Sequence, residues 1–336
     1  MKVSQIGEFG LITRLAAQSG TNIDTDSPAS RQLVTGIGDD AAVWRPAVPC
    51  QLVTVDSLVE NVHFTRRTTT WEKLGEKALA VNLSDIAAMG GVPLYALISL
   101  GLPPDTRVEN VTRLYAGMNS IARKYGVRLV GGDTVSSPAL FISVTVLGSA
   151  VNKEGNVLSR AAAKPGDKVA VTGTLGDSAG GLKILLEKLS FPRRAAAKLK
   201  AAHLTPAPRV AEGQLLVKNG VKCGMDISDG LAGDLAHICE MSGVGASINV
   251  DAVPLSPELR QCFADCALPL ALNGGEDYEL LFTAPPARIR AAQRALKCPV
   301  TVVGEITAAN PGKVRLFNRR GQRVEIEKSG WDHFQK

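Results

Sequence analysis

Val-Lys-Cys-Gly-Met-Asp-Ile-Ser-Asp-Gly-Leu, residues 221–231, reads as a strand that ends on a carboxylate, turns through a second one and opens a helix. The apolar run to Asp226 suits a strand. Ser228 or Asp229 stands where a cap is needed for a helix running through Ala236 and Ile238 to Met241. The positive end of that helix then lies beside a hydroxyl and carboxylates, which helps hold a phosphate or a metal-bound phosphate. Outward from this stretch the same style recurs. Gly-Ile-Gly-Asp-Asp (36–40), Thr-Val-Asp (54–56), Asn-Leu-Ser-Asp (82–85), Gly-Gly-Asp-Thr (131–134) and Gly-Gly-Glu-Asp-Tyr (274–278) are all acidic motifs braced by small residues. Any one could be an ordinary turn. Together they imply converging carboxylates, and two unit charges about 5 Å apart at an effective dielectric near 20 repel by roughly 3 kcal/mol. Such a set needs cations. Mg²⁺ takes oxygen ligands and is commonly shared with substrate phosphates.

The chain has 336 residues, 45% of them hydrophobic, which suffices for two globular domains. Only 4% are aromatic, so the cores must be aliphatic and alanine-based, which suits α/β packing. The N-terminus carries no apolar signal region, and the run around Val92–Leu102 is too short to span a membrane. A soluble, cytoplasmic protein is expected. The six cysteines form no C-x-x-C pair and no zinc spacing, so they read as reduced thiols. The net charge of +6 comes without aromatic interleaving or a nucleic-acid motif. It favours anionic small substrates, and no nucleic-acid partner is expected.

Strands are expected at Gln51–Asp56, Val127–Val130, Leu140–Leu147, Lys168–Thr172 and Val221–Asp226. Helices are expected at Trp71–Met89, with Thr70 as N-cap and Gly90-Gly91 as stop, and at Thr106–Tyr125, closed by Gly126. Asn82 and Asp85 lie three apart and so share a helix face. A turn cluster at Ala150–Pro165 separates domains 1–150 and 151–336. Thr-Gly-Thr-Leu-Gly-Asp-Ser-Ala-Gly-Gly (172–181) resembles a phosphate-cradling strand–loop–helix without the Gly-Lys-Ser/Thr of a P-loop; its glycines serve either phosphate or close packing.

No nucleophile–base pair is evident around His63, His203, His237 or His333. What remains is phosphoryl transfer by positioning and charge neutralisation. An alcohol acceptor would call for a general base. A phosphate monoester acceptor, with a second pKa of about 6, is already a dianion at pH 7 and calls for none.

The ordered motifs resemble the thiamine-monophosphate kinase family, within the aminoimidazole ribonucleotide synthetase-like superfamily. Besides the acidic set, the resemblance rests on Gly-Glu-Phe-Gly-Leu-Ile (7–12), Asn-Val-His-Phe (61–64), Ser-Arg-Ala-Ala-Ala-Lys-Pro-Gly-Asp (159–167), His-Leu-Thr-Pro-Ala-Pro-Arg (203–209) and Gly-Trp-Asp-His-Phe (330–334). It covers essentially the whole chain. It implies an α/β protein with an α+β N-terminal domain, an α/β C-terminal domain, and N-terminal sheets that pair across a homodimer. It implies ATP-dependent phosphorylation of thiamine monophosphate to the diphosphate, the last step of thiamine diphosphate biosynthesis, with several Mg²⁺ ions and direct in-line transfer. The metal ligands it implies are Asp40, Thr54, Val55 (through its carbonyl), Asp56, Asp85, Asp133, Asp226 and Asp229. ATP contacts fall on Tyr115, Gly132, Asp133, Arg160 and Ser228. Tyr115 equally suits the core by its helix position. His63, Glu276 and Trp331 fall around the acceptor, where a cationic thiazolium favours a carboxylate and an aromatic face. Trp331 could instead anchor the C-terminus. Asp277 and Tyr278 would brace the Glu276 loop. Val55 stands where relatives can carry a hydroxyl.

Rival readings predict other residues. A selenophosphate synthetase would carry a reactive Cys near the N-terminus, and a hydrogenase-maturation dehydratase would end in one. The first Cys here is Cys50, and the chain ends His-Phe-Gln-Lys. An aminoimidazole ribonucleotide synthetase shares the ATP-site style but not the Asn-Val-His-Phe and Gly-Gly-Glu-Asp-Tyr-Glu-Leu motifs. A non-enzymatic basic binding protein would instead show salt-dependent nucleic-acid binding.

Overall fold

The computed structural model describes residues 1–20, 26–35 and 43–325. The chain divides into two compact units, Met1–Ile86 with Gly91–Gly155, and Ala87–Gly90 with Asn156–Lys336. The first runs α1 (Val3–Gly20), α2 (Pro28–Gln32), β1 (Leu33–Thr35), β2 (Val43–Trp44), β3 (Gln51–Val59), α3 (Trp71–Ala88), β4 (Val92–Leu102), α4 (Val108–Tyr125), β5 (Arg128–Ser136) and β6 (Phe141–Ser149). Its main sheet has the order β3-β6-β4-β5; β4 and β5 are parallel and the other pairs antiparallel.

Cap chemistry sets the helix ends. Thr70 Oγ1 accepts the Lys73 amide at 3.3 Å, and the Gly90 and Gly91 amides return to the carbonyls of Ala87 and Ile86. Gly126 closes α4 in the left-handed region. This helix starts two residues later than Thr106, because the chain enters it from extended Arg107.

One face of the four-stranded sheet is packed. Ile142, Val144 and Val146 of β6 and Ile98 and Leu100 of β4 are buried there, and Ile86 of α3 lies close to Gly148. The opposite face is open over part of its area: Val53 and Val55 are 71% and 59% exposed and Val135 is 43% exposed, while Tyr95 on the same face is buried. A small aromatic cluster lies in this unit, where Tyr95 donates to the Ala29 carbonyl at 2.9 Å and stacks obliquely on Trp44.

The second unit continues with β7 (Lys168–Thr172), α5 (Asp177–Glu187), α6 (Arg193–Leu204), α7 (Val210–Lys218), β8 (Cys223–Asp226), α8 (Leu231–Ser242), β9 (Gly245–Asn249), α9 (Pro257–Phe263), α10 (Ala267–Asn273), β10 (Leu280–Ala284), α11 (Pro286–Ala295), β11 (Val300–Thr307), β12 (Val314–Phe317) and β13 (Arg323–Val324). Its seven strands have the order β13-β12-β9-β11-β7-β10-β8. The core is aliphatic, as the low aromatic content requires: Val169, Val171, Met225, Leu235, Leu281 and Ile306 meet in it. Helix α6 is basic and rich in alanine, and its Ala195, Ala196 and Leu199 pack with Ile184 and Phe263 in a satellite core. Among the described residues no helix is long and apolar enough to cross a membrane.

Helices α3 and α4 cross at reciprocal glycines. A Cβ on Gly75 would lie 1.9 Å from the Leu114 carbonyl oxygen, and one on Gly117 would lie 1.9 Å from that of Glu72. Neither obstacle is a side-chain tip that could swing away. Gly117→Ala is expected to push the helices apart and cost about 1–3 kcal/mol, read as a lower urea midpoint.

Candidate functional site

In the first unit the acidic residues gather where α3 meets β3. Period-two alternation along β3 turns Leu52, Thr54 and Asp56 toward the packed face. Helical spacing puts Asn82 and Asp85 on the facing stripe of α3. Thr54 Oγ1 donates to Asp85 Oδ2 at 2.6 Å. Asn82 Oδ1 accepts the Asp56 amide at 2.9 Å, while its Nδ2 donates to the Ala78 carbonyl at 3.0 Å. Strand β3 lies at the sheet edge, so Asn82 satisfies an amide that no neighbouring strand meets. Burial, reinforced by the charge of Asp85, pushes the Asp56 carboxyl up to about 6.

The sheet does not bring Asp133 into this group. Asp56 pairs through Val144 and Ile98 with Gly132, whereas Asp133 aligns with Ser99, Ser143 and Ser57. Asp133 therefore stands on the open face, three strand spacings or about 14 Å from β3. Thr-Val-Asp and Gly-Gly-Asp-Thr are not turns after strands; both lie within strands, because β3 pairs with β6 through Val59 and β5 pairs with β4 through Ser136. Gly132 also has a packing reason: a Cβ there would sit 2.0 Å from the Ile98 carbonyl oxygen. Tyr115 is buried on α4, which supports the core alternative for it. His63 Nδ1 accepts the Val59 amide at 3.0 Å, so its ring proton is on Nε2. Asp40 and Trp331 lie outside the described residues.

In the second unit Asp226 is buried at the end of β8, and Ser228 and Asp229 follow in a half-buried turn. Neither of these two caps α8. Asp234, in the first turn of α8, reaches back, and its Oδ2 accepts the amides of Ser228, Asp229 and Gly230 at 3.0, 3.1 and 3.1 Å. A carboxylate one turn along reaches all three donors, which a short Ser228 side chain cannot. Burial first, and then the charges of Asp229 and Asp226, push the Asp234 carboxyl up to about 7. Its Oδ1 is buried without a hydrogen-bond partner.

The same device closes the other candidate cradle. The Gly176 and Ser178 amides at the start of α5 donate to Asp277 at 2.6 and 3.2 Å. Burial raises the Asp277 carboxyl well above its usual range, against the pull of those two amides. The 172–181 loop thus spends its helix-end amides on the protein's own carboxylate. Asp277 braces the Gly-Gly-Glu-Asp-Tyr loop as expected. So does the main chain of Tyr278, whose amide donates to the Ile227 carbonyl at 2.9 Å. Arg160 is exposed on a short 3-10 turn anchored by the Ser159 cap.

Sequence reasoning missed Asp234, Glu279, Arg209 and His203. Glu279 is buried, paired with Arg209, and accepts Thr172 Oγ1 at 2.6 Å. His203, also buried, has Nδ1 3.0 Å from Glu276 Oε2 and 3.2 Å from Ser178 Oγ. Arg209 and Glu279 sit inside motifs already singled out, but nothing in their spacing shows that they meet. Among the described residues no three His, Cys, Asp or Glu side chains close into a metal-binding group. The oxygen donors are instead distributed between the Thr54–Asp56–Asp85 and Asp226–Asp229 sets.

Residues 38–150 match the family model for the N-terminal domain of AIR synthase related proteins, and residues 164–317 match that for the C-terminal domain. The chain is 38% identical to the thiamine-monophosphate kinase of Bacillus subtilis over 307 residues, covering 89% of this chain and 93% of the relative. The crystal structure of thiamine-monophosphate kinase from Stenotrophomonas maltophilia superposes with a TM-score of 0.81 at 35% identity, over 95% of this chain and 98% of that one. A structure of AaThiL complexed with AMPPCP and TMP gives a TM-score of 0.75 at 34% identity, over 99% of both chains.

The raised carboxyls fix the sign of a pH effect. Asp56 and Asp234 keep protons in the folded state that they lose in the unfolded chain. Folding therefore takes up protons, and stability of the metal-free chain falls as pH rises from about 4 to about 7. In Asp56→Asn that fall is expected to shrink by about 1–3 kcal/mol, with little difference from the parent at pH 4. Urea midpoints at pH 4 and pH 8 in chelator measure it.

Proposed function

The chain belongs to the thiamine-monophosphate kinase family, and we propose from that premise that it transfers the γ-phosphoryl of ATP directly and in line to the phosphate of thiamine monophosphate. The observation that carries this reading is the end-to-end likeness to AaThiL complexed with AMPPCP and TMP. The chemistry of the site agrees with it. An acceptor phosphate is already dianionic near neutral pH, so the reaction needs two anions held together rather than a base.

The donor set suits a hard cation: every donor is oxygen, and Asp56 and Asp85 repel one another. Several Mg²⁺ ions, held by Asp56 and Asp85 in the first unit and by Asp226 and Asp229 in the second, with Asp40, Thr54, the Val55 carbonyl and Asp133 as further ligands, would supply the charge neutralisation that two phosphates require. The chain's own groups do the rest. Arg160 offers a permanent charge and a planar donor fork to the nucleotide phosphates. Ser228 and Gly132 meet the nucleotide. Glu276, His63 and Trp331 hold the acceptor, with Glu276 opposing the thiazolium charge. Because the α5 and α8 amides are held by Asp277 and Asp234, these two helix ends are not the phosphate sites.

We also propose a cytoplasmic homodimer, paired through the open face of the four-stranded sheet. Val53, Val55 and Val135 are branched apolar side chains left exposed on that one face. Asp133 shares that surface, so pairing sets it against a second chain instead of its own Asp56.

Incubation with ATP, Mg²⁺ and thiamine monophosphate is expected to yield thiamine diphosphate and ADP one for one, and neither product in chelator. Asp56→Asn, Asp85→Asn and Asp226→Asn are each expected to lower turnover by about 10²-fold or more with an unchanged circular dichroism spectrum. Near-normal turnover in all three would sink the metal assignment. ADP without thiamine diphosphate would move the acceptor toward an aminoimidazole ribonucleotide synthetase-like substrate. Separately, Val55→Glu should convert a dimer to a monomer in size-exclusion chromatography with light scattering; an unchanged dimer would place the interface elsewhere.

A further inference from the structure

The loop that carries Glu276 is held in an uncommon conformation. Glu276 and Tyr278 both have positive φ, 67° and 52°, although neither is glycine. Side chains in that region cost of order 1 kcal/mol each, so the loop persists only because its surroundings hold it. The Glu276 amide donates to the Ser228 carbonyl at 2.8 Å, and Asp277 is locked onto α5. These contacts fix the backbone. The Glu276 side chain, about a quarter exposed, is held by contacts of its own.

One of them is to His203. This residue sits in the last turn of α6, buried, with Nδ1 3.0 Å from Glu276 Oε2. An ionised carboxylate offers only lone pairs, so a hydrogen bond at that distance requires the proton on Nδ1. Ser178 Oγ lies 3.2 Å from the same nitrogen. A Ser–His–acid relay needs the hydroxyl and the acid on opposite ring nitrogens. Here both share Nδ1, so the trio cannot pass a proton from Ser178 to Glu276 and is not a hydrolytic triad. What the distances allow is an Nδ1–H that anchors one carboxylate oxygen and thereby aims the other.

We propose that His203 is a positioning residue for the cation-recognising carboxylate of the acceptor site, holding Glu276 through an Nδ1–H donor. The proposal rests on the acceptor role given to Glu276 above. It predicts that the contribution of His203 is to acceptor recognition and not to nucleotide binding.

Two measurements test it. The first reads the hydrogen bond without turnover. Imidazole ¹⁵N shifts of the parent chain, with His203 assigned by comparison with His203→Asn, are expected to show a protonated Nδ1. An unprotonated Nδ1 overturns the proposal. The second is kinetic. The amide nitrogen of Asn overlays Nδ1, that of Gln overlays Nε2, and Leu offers no donor. His203→Leu and His203→Gln are expected to raise KM for thiamine monophosphate about tenfold or more, with KM for ATP within about twofold. His203→Asn should stay within about threefold of the parent. Folded Leu and Gln variants with both KM values unchanged, or an Asn variant as impaired as Leu, overturn it. If the parent chain turns over no thiamine monophosphate, the acceptor reading itself fails, and the nitrogen shifts still decide whether His203 holds Glu276.

Discussion

The half-buried Asp277 organises the second unit around the candidate site. It takes the two amides that open α5, and in doing so fixes the loop between α10 and β10. That loop then lies along Ile227 and Ser228: Ile227 donates to the Glu279 carbonyl, and Glu276 and Tyr278 donate back to Ser228 and Ile227. Asp226 and Asp229 flank the segment so clamped. One acid therefore sets the position of the acceptor loop and, through two strands of backbone hydrogen bonds, of two candidate metal ligands.

Asp234 repeats the solution at α8, where three consecutive amides converge on one oxygen. A helix N-terminus attracts whatever anion is nearest. In both places that anion belongs to the protein. The consequence for chemistry is that phosphate charge has to be met by other means. The oxygen-rich clusters and an exposed arginine are what the fold offers. Burying carboxylates against amides also raises their proton affinity, since burial outweighs the hydrogen bonds. Rigidity here is obtained at the expense of stability above neutral pH.

Much of the secondary structure was legible because it follows from local chemistry. Thr70, the Gly90-Gly91 pair and Gly126 mark helix ends by what their own backbone and side chains can do. The strands around Asp56, Thr172 and Asp226 announced themselves by apolar runs. Asp133 was misplaced in kind: glycines beside an acid read as a turn, and they lie in a strand because β4 approaches so closely at Gly132 that only glycine fits. The capping of α8 was misassigned for a similar reason. Asp234 looked like an ordinary acidic residue of a first turn, and its reach back to residue 228 depends on how the preceding turn folds.

The sequence by itself determined the family, the order of the acidic motifs, the aliphatic character of the cores and the kind of chemistry that several carboxylates without a base can perform. Composition, periodicity and motif order are properties of the chain read along its length. Only the tertiary structure decided that Asp56 faces Asp85 while Asp133 stands on the other side of the sheet, and that the α5 and α8 amides are spent on Asp277 and Asp234. It alone brought His203 to Glu276, 73 positions away. Those facts depend on strand order, on the parity of sheet register and on which helix end meets which loop. No local spacing encodes them, because each arises only when distant segments compete for the same buried hydrogen bonds.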